Sequence, residues 1–293
     1  MLIKMKYICL LILLAWGSSP FVQGQTDVSL YMKKDADISL DSIRSESGNL
    51  FNVLGHHGPA VENPWSGFRL YFSKKAAIDV YSKAKPGLEI REKKWYPSKA
   101  QQKAGWGADY YKVGKTVGLG GIRLWDGKKV IPLHPVSSRS ARVVNRGKFS
   151  FMEMLSEGVP YRGKLVDILV RVTVFEDRRE ARVEAFSTSG EQVQFVTGLN
   201  YFESLTVHKQ DQYLLSWGIH PEDVAAEKVE VGAALIFMRA DFEEQRDDGK
   251  QVLLISKPAS SLETWIISAN AREEEVNTLA EFIKEVERAG QVL

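Results

Sequence analysis

The chain has 293 residues, of which 39 are basic and 37 acidic, and it contains one cysteine. The nearly balanced charge excludes the overall electrostatic attraction that nucleic-acid-binding proteins use, so we expect no nucleic-acid partner. A single cysteine excludes an internal disulfide framework, and stability must therefore come from a hydrophobic core, for which the length is ample.

The first residues have the pattern of an export signal. Lys4 and Lys6 form a basic start, residues 8–16 form an apolar run too short to span a bilayer, and Gly24 ends the segment. We predict a signal peptide over residues 1–24 and a soluble mature chain over residues 25–293. That chain would be exported, either periplasmic or secreted, without membrane association after cleavage. Because Lys4 and Lys6 are then removed, its basic and acidic residues balance.

Strand patterns recur along the mature chain. The clearest is 164–175, where β-branched residues alternate. In chain order we predict strands at 28–32, 68–73, 77–81, 118–125, 164–175, 180–186, 192–196, 213–217, 229–238, 251–256 and 264–268.

Only the C-terminal segment has helical spacing. Apolar residues recur at helical intervals from Val276 to Val286, Asn270 is a candidate cap, and Gly290 is a candidate stop. We therefore predict a helix over 273–289. Many strands with one terminal helix predict an all-β fold, a large antiparallel β-sandwich forming a single domain.

A compact polar loop at residues 55–65 precedes the strand at 68–73. It contains His56, His57, Glu62 and Trp65 between glycines and prolines, which favours a shaped turn over a helix. Dense polar loops beside sheets often form binding sites. A purely structural turn, with histidines capping strand ends, remains an equal alternative.

A second irregular stretch, residues 82–112, is rich in aromatic and charged residues. Long loops of this kind are uncommon unless they have a function. Exposed aromatic rings can stack on sugars, and cations can bind carboxylates. We expect at least half of the aromatic residues to fill the core instead. The candidates from this stretch are Trp106, Asp109, Tyr111 and Lys112, and Arg123 follows on the next predicted strand.

Motifs for other chemistries are missing. There is no GxSxG sequence and no cysteine nucleophile in the mature chain, so acyl transfer has little support. The five histidines lack metal-ligand spacing, and a metal site assembled from distant histidines and Glu62 is the minor alternative. Acid–base chemistry by His, Tyr, Lys and carboxylates remains. It requires no cofactor, and we expect none and no metal.

Two sequence blocks resemble the DUF4861 family. HGPAVENPWSGFRLYF, followed by AIDVYSK, is similar to the first signature of that family, and GWGADYYKVGKTVGLGGIRLWDGK resembles its second. The resemblance covers roughly residues 50–270. It implies an exported protein of polysaccharide breakdown with a galactose-mutarotase-like or lyase-like β-sandwich. It also implies a dehydratase, which removes water from a non-reducing-end uronic acid of ulvan-type oligosaccharides and leaves a 4,5-unsaturated uronate.

Such a carbon–oxygen lyase needs a cation for the uronate carboxylate, a base for the C5 proton and an acid for the departing 4-hydroxyl. We predict His57 as base, Tyr111 as acid and Arg69 or Arg123 as cation. Lys112 could share the role of the cation, and residues 106–112 should lie beside His57 in space. The predicted substrate-binding residues are Glu62, Trp65, Trp106, Asp109, Lys112, Arg123 and His220. The predicted partner is a uronic-acid oligosaccharide. Another carbohydrate enzyme, such as a hydrolase or epimerase, and a non-catalytic glycan-binding protein remain open.

Overall fold

The structure is a computed structural model that describes residues 25–92, 96–221 and 227–292. The predicted signal peptide, residues 1–24, lies outside the described residues. Within the described ranges, no helix combines the length and the apolar character required to cross a membrane.

The described residues form three sheets, in which all neighbouring strands run antiparallel. In chain order the strands are β1 (Asp27–Ser29), β2 (Ser42–Ser45), β3 (Ala60–Glu62), β4 (Ser66–Leu70), β5 (Ile78–Ser82), β6 (Arg123–Trp125), β7 (Val130–Ile131), β8 (Ser138–Asn145), β9 (Phe149–Tyr161), β10 (Lys164–Phe175), β11 (Ala181–Ser187), β12 (Phe195–Asn200), β13 (Thr206–Lys209), β14 (Tyr213–Ile219), β15 (Glu230–Ile236), β16 (Phe242–Asp247), β17 (Gln251–Ser256) and β18 (Ser261–Asn270). The helices are α1 (Lys99–Lys103) and α2 (Leu279–Val292).

A nine-stranded sheet, the large sheet, has the order β13-β14-β15-β18-β11-β10-β9-β8-β2. At its centre β10 pairs with β9 and β11, which sets Val170 opposite Met154 on one side and Ala185 on the other. The alternating valines and isoleucine of β10 are buried, as their period of two predicts. The predicted strand at 164–175 is therefore confirmed with its bounds.

One apolar core joins the large sheet to the two smaller sheets. The four-stranded sheet has the order β1-β3-β4-β5, and the five-stranded sheet has the order β16-β17-β12-β6-β7. Phe68 and Ile78 come from the former, Phe195 and Leu254 from the latter, and Met154 from the large sheet. The all-β antiparallel prediction is confirmed.

The four-stranded sheet has one apolar and one charged face. Along β4 and β5, Phe68, Leu70, Ile78 and Val80 enter the core, while the alternate positions carry polar side chains. Those polar side chains are buried too, because the segment after β5 folds back over them. We call residues 83–92 and 96–112 the covering segment. The candidate site lies in this polar layer.

Helix α2 begins six residues after the predicted start and runs past Gly290. Asn270 ends β18 instead of capping a helix, and the carboxylate of Glu273 accepts hydrogen bonds from the Asn270 backbone and from Arg179. These contacts hold residues 271–277 out of the helix. The apolar side of α2 packs on the large sheet, where the Phe282 ring lies 5.7 Å from that of Trp217.

Thr278 caps α2 through a reciprocal pair of hydrogen bonds. The Glu281 N–H donates to the Thr278 hydroxyl, and the Thr278 N–H donates to the Glu281 carboxylate. We expect Thr278→Ala to lower the free energy of unfolding by about 1 kcal/mol, since both bonds satisfy otherwise unpaired helix-end groups. Urea unfolding measures this, with Ser140→Ala as the control away from helix ends. Equal stabilities would contradict the assignment of the cap.

Candidate active site

The centre of the polar layer is a buried ion cluster around Arg69. Cross-strand pairing sets Arg69 on β4 opposite Asp79 on β5, and the guanidinium lies 2.5 Å from the Asp79 carboxylate. Asp109, from the covering segment, approaches the same guanidinium at 2.7 Å. The Tyr71 hydroxyl donates a 2.6 Å hydrogen bond to Asp79. One cation thus holds two carboxylates, which tie the covering segment to the sheet.

Burial and charge act against each other in this cluster. Burial alone would lower the pKa of Arg69, but Asp109 and Asp79 raise it well above its ordinary value. Burial raises the pKa of Asp79, although Arg69 and Tyr71 oppose the shift. The Arg69 side chain is 2% exposed, and its charge is already paired with the carboxylates of Asp79 and Asp109. Arg69 was predicted as a cation for the substrate carboxylate, but its geometry is that of an internal cation.

The Gly55-His56-His57-Gly58 turn packs directly against this layer. A Cβ at Gly55 would lie 2.0 Å from the Tyr31 ring, and one at Gly58 would lie 2.0 Å from the Leu70 carbonyl oxygen. The two histidines between these glycines have φ values of 53° and 61°. Non-glycine residues seldom adopt this left-handed conformation, which costs about 1–3 kcal/mol per residue and is concentrated at functional sites.

His57 is half-buried between two aromatic rings. Its ring stacks on Phe51 at 3.8 Å and meets Tyr71 edge-on at 5.7 Å. Its Nδ1 lies 2.8 Å from the Phe51 carbonyl oxygen, which fixes the proton on Nδ1 and the basic lone pair on Nε2. Burial lowers the pKa of His57, and Lys33 and Arg69 contribute to the shift. The ring is therefore neutral at pH 7.

The neighbouring His56 is fully buried. Its ring lies edge-on to Tyr31 at 5.3 Å, and burial followed by the charge of Arg69 lowers its pKa to about 3. Its Nε2 has no hydrogen-bond partner among the described residues. His56 is therefore a permanently neutral group beneath the cluster, and His57 is the histidine of the turn that solvent reaches.

We expect Gly58→Ala to disturb the turn without touching any catalytic candidate. The added methyl would overlap the Leu70 carbonyl, so β4 and the turn must separate. The free energy of unfolding should fall by about 1–3 kcal/mol, as in other overpacked sites. Thermal melts measure the loss, with Gly87→Ala as the control because a Cβ there would meet nothing within 4 Å and its φ is not positive. Equal losses in both variants would contradict the close approach.

A second group, Tyr111 with His220 and Asn200, adjoins the ion cluster. The Tyr111 hydroxyl donates to the Asn200 side-chain oxygen, and burial followed by the charge of Asp79 raises its pKa well above the ordinary value. The Tyr111 ring lies 4.7 Å from that of His220. Tyr111, the predicted acid, is thus buried with its proton directed at an internal amide.

His220 is fixed in one tautomer. Its Nδ1 accepts the Lys112 backbone N–H at 3.1 Å, so the proton resides on Nε2, which is buried without a partner among the described residues. Burial lowers the pKa of His220 to about 4. It is therefore a neutral hydrogen-bond donor at the edge of the polar layer.

A cavity of about 160 Å³ opens beside Phe51, the ring that stacks on His57. Phe51, which stacks on His57, forms one wall, and Lys74 and Lys75 form another. Asn49, Asn52 and Ser73 complete the lining. Since a water molecule occupies about 30 Å³ in the liquid, the cavity admits several waters or part of a sugar ring. Its aromatic, amide and ammonium groups suit an acidic sugar.

Two predicted ligand residues lie elsewhere. Glu62 is 1% exposed, pairs with the buried Lys83, and accepts the Glu89 and Ile90 backbone N–H groups. It therefore anchors the covering segment. Trp65 lies at the far end of β4, where it lines a pocket with Arg179 and Glu273. It lies four positions before Arg69 along the extended chain, a spacing of roughly 13 Å.

The remaining candidates divide between the two groups and the periphery. Asp109 belongs to the ion cluster, and the Lys112 backbone holds His220 and Asn200 in place. The Trp106 carbonyl accepts a hydrogen bond from Arg272 away from the cluster. Arg123 is buried on β6, where it donates to the Ile122 and Ala76 carbonyls. The structure thus pairs Arg69 with Asp109 and Tyr111 with His220, and the charge of Arg69 reaches His57.

Several site residues were not predicted. Tyr71 follows β4 directly and Asp79 lies within β5, in segments where alternation predicted only structure. Phe51 and Lys74 line the cavity. The antiparallel pairing of the segments at 68–73 and 77–81 was the signal that could have indicated them, because it places Arg69 beside Asp79. The described residues contain no group of three His, Cys, Asp or Glu side chains arranged for a metal ion.

Comparisons with known proteins are consistent with the sequence blocks. A search of curated proteins finds no match. A Klebsiella pneumoniae structure, provisionally described as an aldose 1-epimerase, aligns at 8% identity and a TM-score of 0.41 over 91% of this chain and 96% of that one. The model of the domain of unknown function DUF4861 matches residues 21–293. The resemblance drawn from the two blocks is therefore confirmed, and the chain belongs to the DUF4861 family.

Proposed function

We propose that the protein is a carbohydrate-active lyase that eliminates water from the non-reducing-end uronic acid of an oligosaccharide and leaves a 4,5-unsaturated uronate. One observation carries the proposal. A neutral, half-buried His57 with a fixed tautomer is held between the Phe51 wall of a lysine-lined cavity and the Tyr71–Asp79–Arg69 cluster. A base, an acid and cations thus occur together at one place.

His57 is the base in this proposal. Its Nδ1 hydrogen bond to the Phe51 carbonyl orients the ring and stabilises the imidazolium that forms when Nε2 takes a proton. Its lowered pKa keeps it unprotonated at neutral pH. Both histidines have a left-handed backbone, and strain of this kind is concentrated at functional sites, which supports a functional role for the turn.

Tyr71 is a better candidate for the acid than Tyr111. Both hydroxyls donate to a side chain, that of Tyr111 to Asn200 and that of Tyr71 to Asp79, but the Tyr71 ring centre lies 5.7 Å from that of His57. Burial and Asp79 raise the pKa of Tyr71, and the charge of Arg69 acts in the opposite direction. The phenol therefore keeps its proton until the leaving hydroxyl develops charge, and Arg69 then stabilises the phenolate.

The uronate carboxylate would occupy the lysine-lined cavity. Lys74 and Lys75 follow Tyr71 along the chain, and the Lys75 ammonium lies 6.0 Å from the centre of the Phe51 ring. Neutralising the carboxylate acidifies the C5 proton, since the negative charge that forms at C5 spreads onto that group. These lysines take the role predicted for Arg69, whose charge is held by two internal carboxylates.

The bond changes balance without a further reactant. His57 Nε2 takes the C5 proton, and the C5–H electron pair forms the C4–C5 double bond. The C4–O bond breaks, and the departing hydroxyl takes the Tyr71 proton to leave as water. Transfer of the proton from His57 to Tyr71, directly or through solvent, restores both groups.

Incubation with a uronic-acid-terminated oligosaccharide tests the proposal, with the carboxyl-reduced oligosaccharide as the matched control. We expect the acidic substrate to lose the mass of one water and to gain the ultraviolet absorbance of a conjugated uronate, and the reduced one to remain unchanged. Chain cleavage by added water, inversion at an unchanged mass, or binding without turnover would each contradict dehydration. Those results would indicate a hydrolase, an epimerase or a glycan-binding protein, respectively.

A further inference from the structure

Two buried arginines have no acidic partner. Arg123 is 7% exposed and Arg139 is fully buried. Within residues 25–92, 96–221 and 227–292, neither forms an ion pair, and all their hydrogen bonds go to neutral oxygens. A buried charge without a counter-charge is costly, since desolvation is not repaid. Every other fully or nearly buried charge discussed above, including Arg69 and Lys83, has a carboxylate partner.

The two arginines differ in how their donors are used. Arg139 donates through all three nitrogens, to the Ser156 hydroxyl and to the Gly48 and Leu133 carbonyls. Arg123 uses only Nη1, which donates to the Ile122 carbonyl at 2.7 Å and to the Ala76 carbonyl at 3.5 Å. Its Nε and Nη2 have no acceptor among the described residues. Arg123 therefore has donors available to a ligand. Every side-chain nitrogen of Arg139 already donates to the protein, so it would act on a ligand through its positive charge.

Further positive charge and an unused imidazole nitrogen lie at the same place. His134 follows Leu133, whose carbonyl holds Arg139, and Lys74 lies two residues before Ala76, whose carbonyl holds Arg123. The His134 Nδ1 is buried without a partner among the described residues. Burial lowers the pKa of His134, and Arg139 and Lys74 lower it further, so the three groups lie within electrostatic reach.

The two arginines also lie within electrostatic reach of each other. Burial and the charge of Arg139 lower the pKa of Arg123 to about 10, with no carboxylate opposing the shift. Burial lowers the pKa of Arg139 to about 10 as well. Two buried guanidinium groups without a carboxylate partner would be stabilised by negative charge from outside the chain.

We propose that Arg123, with Arg139, Lys74 and His134 around it, binds a divalent tetrahedral oxyanion, either free sulfate or phosphate or the same group as a substituent of a larger ligand. The Arg123 fork matches the oxygen spacing of such groups. Lys74 also lines the cavity beside His57, so a substituent bound here would adjoin that cavity. The proposal does not depend on the dehydration reaction.

Thermal melts of the whole protein in a chloride buffer, with sodium sulfate or phosphate added at constant ionic strength, test the site. We expect a saturable rise in Tm of several degrees, because the anion binds only the folded state. Arg123→Gln should abolish the saturable rise. It should also raise Tm in the anion-free buffer, because it removes an uncompensated buried charge. Arg142→Gln is the control, since Arg142 is half-exposed and already paired with Glu153.

Two results would overturn the site. One is a sulfate effect that rises without saturation and is identical in wild type and Arg123→Gln, as general salt exclusion produces. The other is a lower Tm of Arg123→Gln in anion-free buffer together with no anion response in the wild type, which would make Arg123 structural. A parallel titration with a monosaccharide sulfate distinguishes the sources. Saturation at lower concentration than sulfate indicates a substituent, and saturation with sulfate alone indicates a free ion.

Discussion

His57→Ala is expected to lower kcat on a uronic-acid oligosaccharide by about 10²- to 10⁴-fold, the usual contribution of a general base. The fold should persist, because His57 is half-buried and its neighbours Phe51 and Tyr71 can pack on each other. His57→Gly should be inactive as well but no less stable than His57→Ala, since glycine adopts the φ of 61° without strain. Steady-state kinetics with thermal melts measures both effects.

The matched control is His208→Ala, which removes a half-buried histidine on β13. It should leave kcat unchanged. The pH profile of wild-type kcat/KM gives a second readout. Because the pKa of His57 is lowered below 6.5, the base is neutral at higher pH, and activity should fall only as the pH drops below that value. Near wild-type turnover in folded His57→Ala would remove His57 from the mechanism.

Arg69→Met is expected to lower the free energy of unfolding by about 3–5 kcal/mol. The substitution keeps most of the side-chain volume but leaves Asp79 and Asp109 as buried carboxylates without their cation. Urea unfolding at pH 7 measures the loss. The control is Arg171→Met, which removes a 30%-exposed arginine from its ion pair with Glu153 and should cost at most about 1 kcal/mol.

The pH dependence of Arg69→Met identifies the cause of that loss. Without the guanidinium, Arg69 no longer opposes the burial that raises the pKa of the Asp79 carboxyl, so the native variant binds more protons than its unfolded chain. Its stability should therefore increase as pH falls from neutral towards the ordinary pKa of aspartate. A variant within about 1 kcal/mol of wild type at pH 7 would contradict the pairing, and Arg69 would return as a candidate for the substrate carboxylate.

Strand bounds could be predicted where the alternation of apolar residues within a single strand is strong. The alternating valines of β10 predicted its bounds correctly, and the predicted strand at 251–256 has the same bounds as β17. By contrast, β8 and β9 were not predicted. Their sequences contain Ser150, Ser156 and Gly158, and they become strands because each pairs along its length with a neighbour. Pairing of this kind is tertiary and leaves no local pattern.

The candidate site was predicted by residue type, and the catalytic roles of its residues stay predictions. His57 and Asp109 were identified from two unusual loops, and those loops do meet at Arg69. The roles of Arg69 and Glu62 could not be predicted from the sequence. A charged residue on an alternating strand is predicted to face solvent, and the sequence pattern does not show that another segment covers it. The ion pairs of Arg69 and Glu62 with Asp79 and Lys83 depend on that covering.

A substrate deuterated at C5 of its terminal uronic acid tests the central claim most directly. The wild-type protein should turn it over more slowly than the protonated substrate, since the C5–H bond breaks in the proposed step that His57 promotes. Mass spectrometry should show a product that has lost the deuterium together with the 4-hydroxyl. A product that retains deuterium at C5, or whose mass shows no loss of water, would contradict the account.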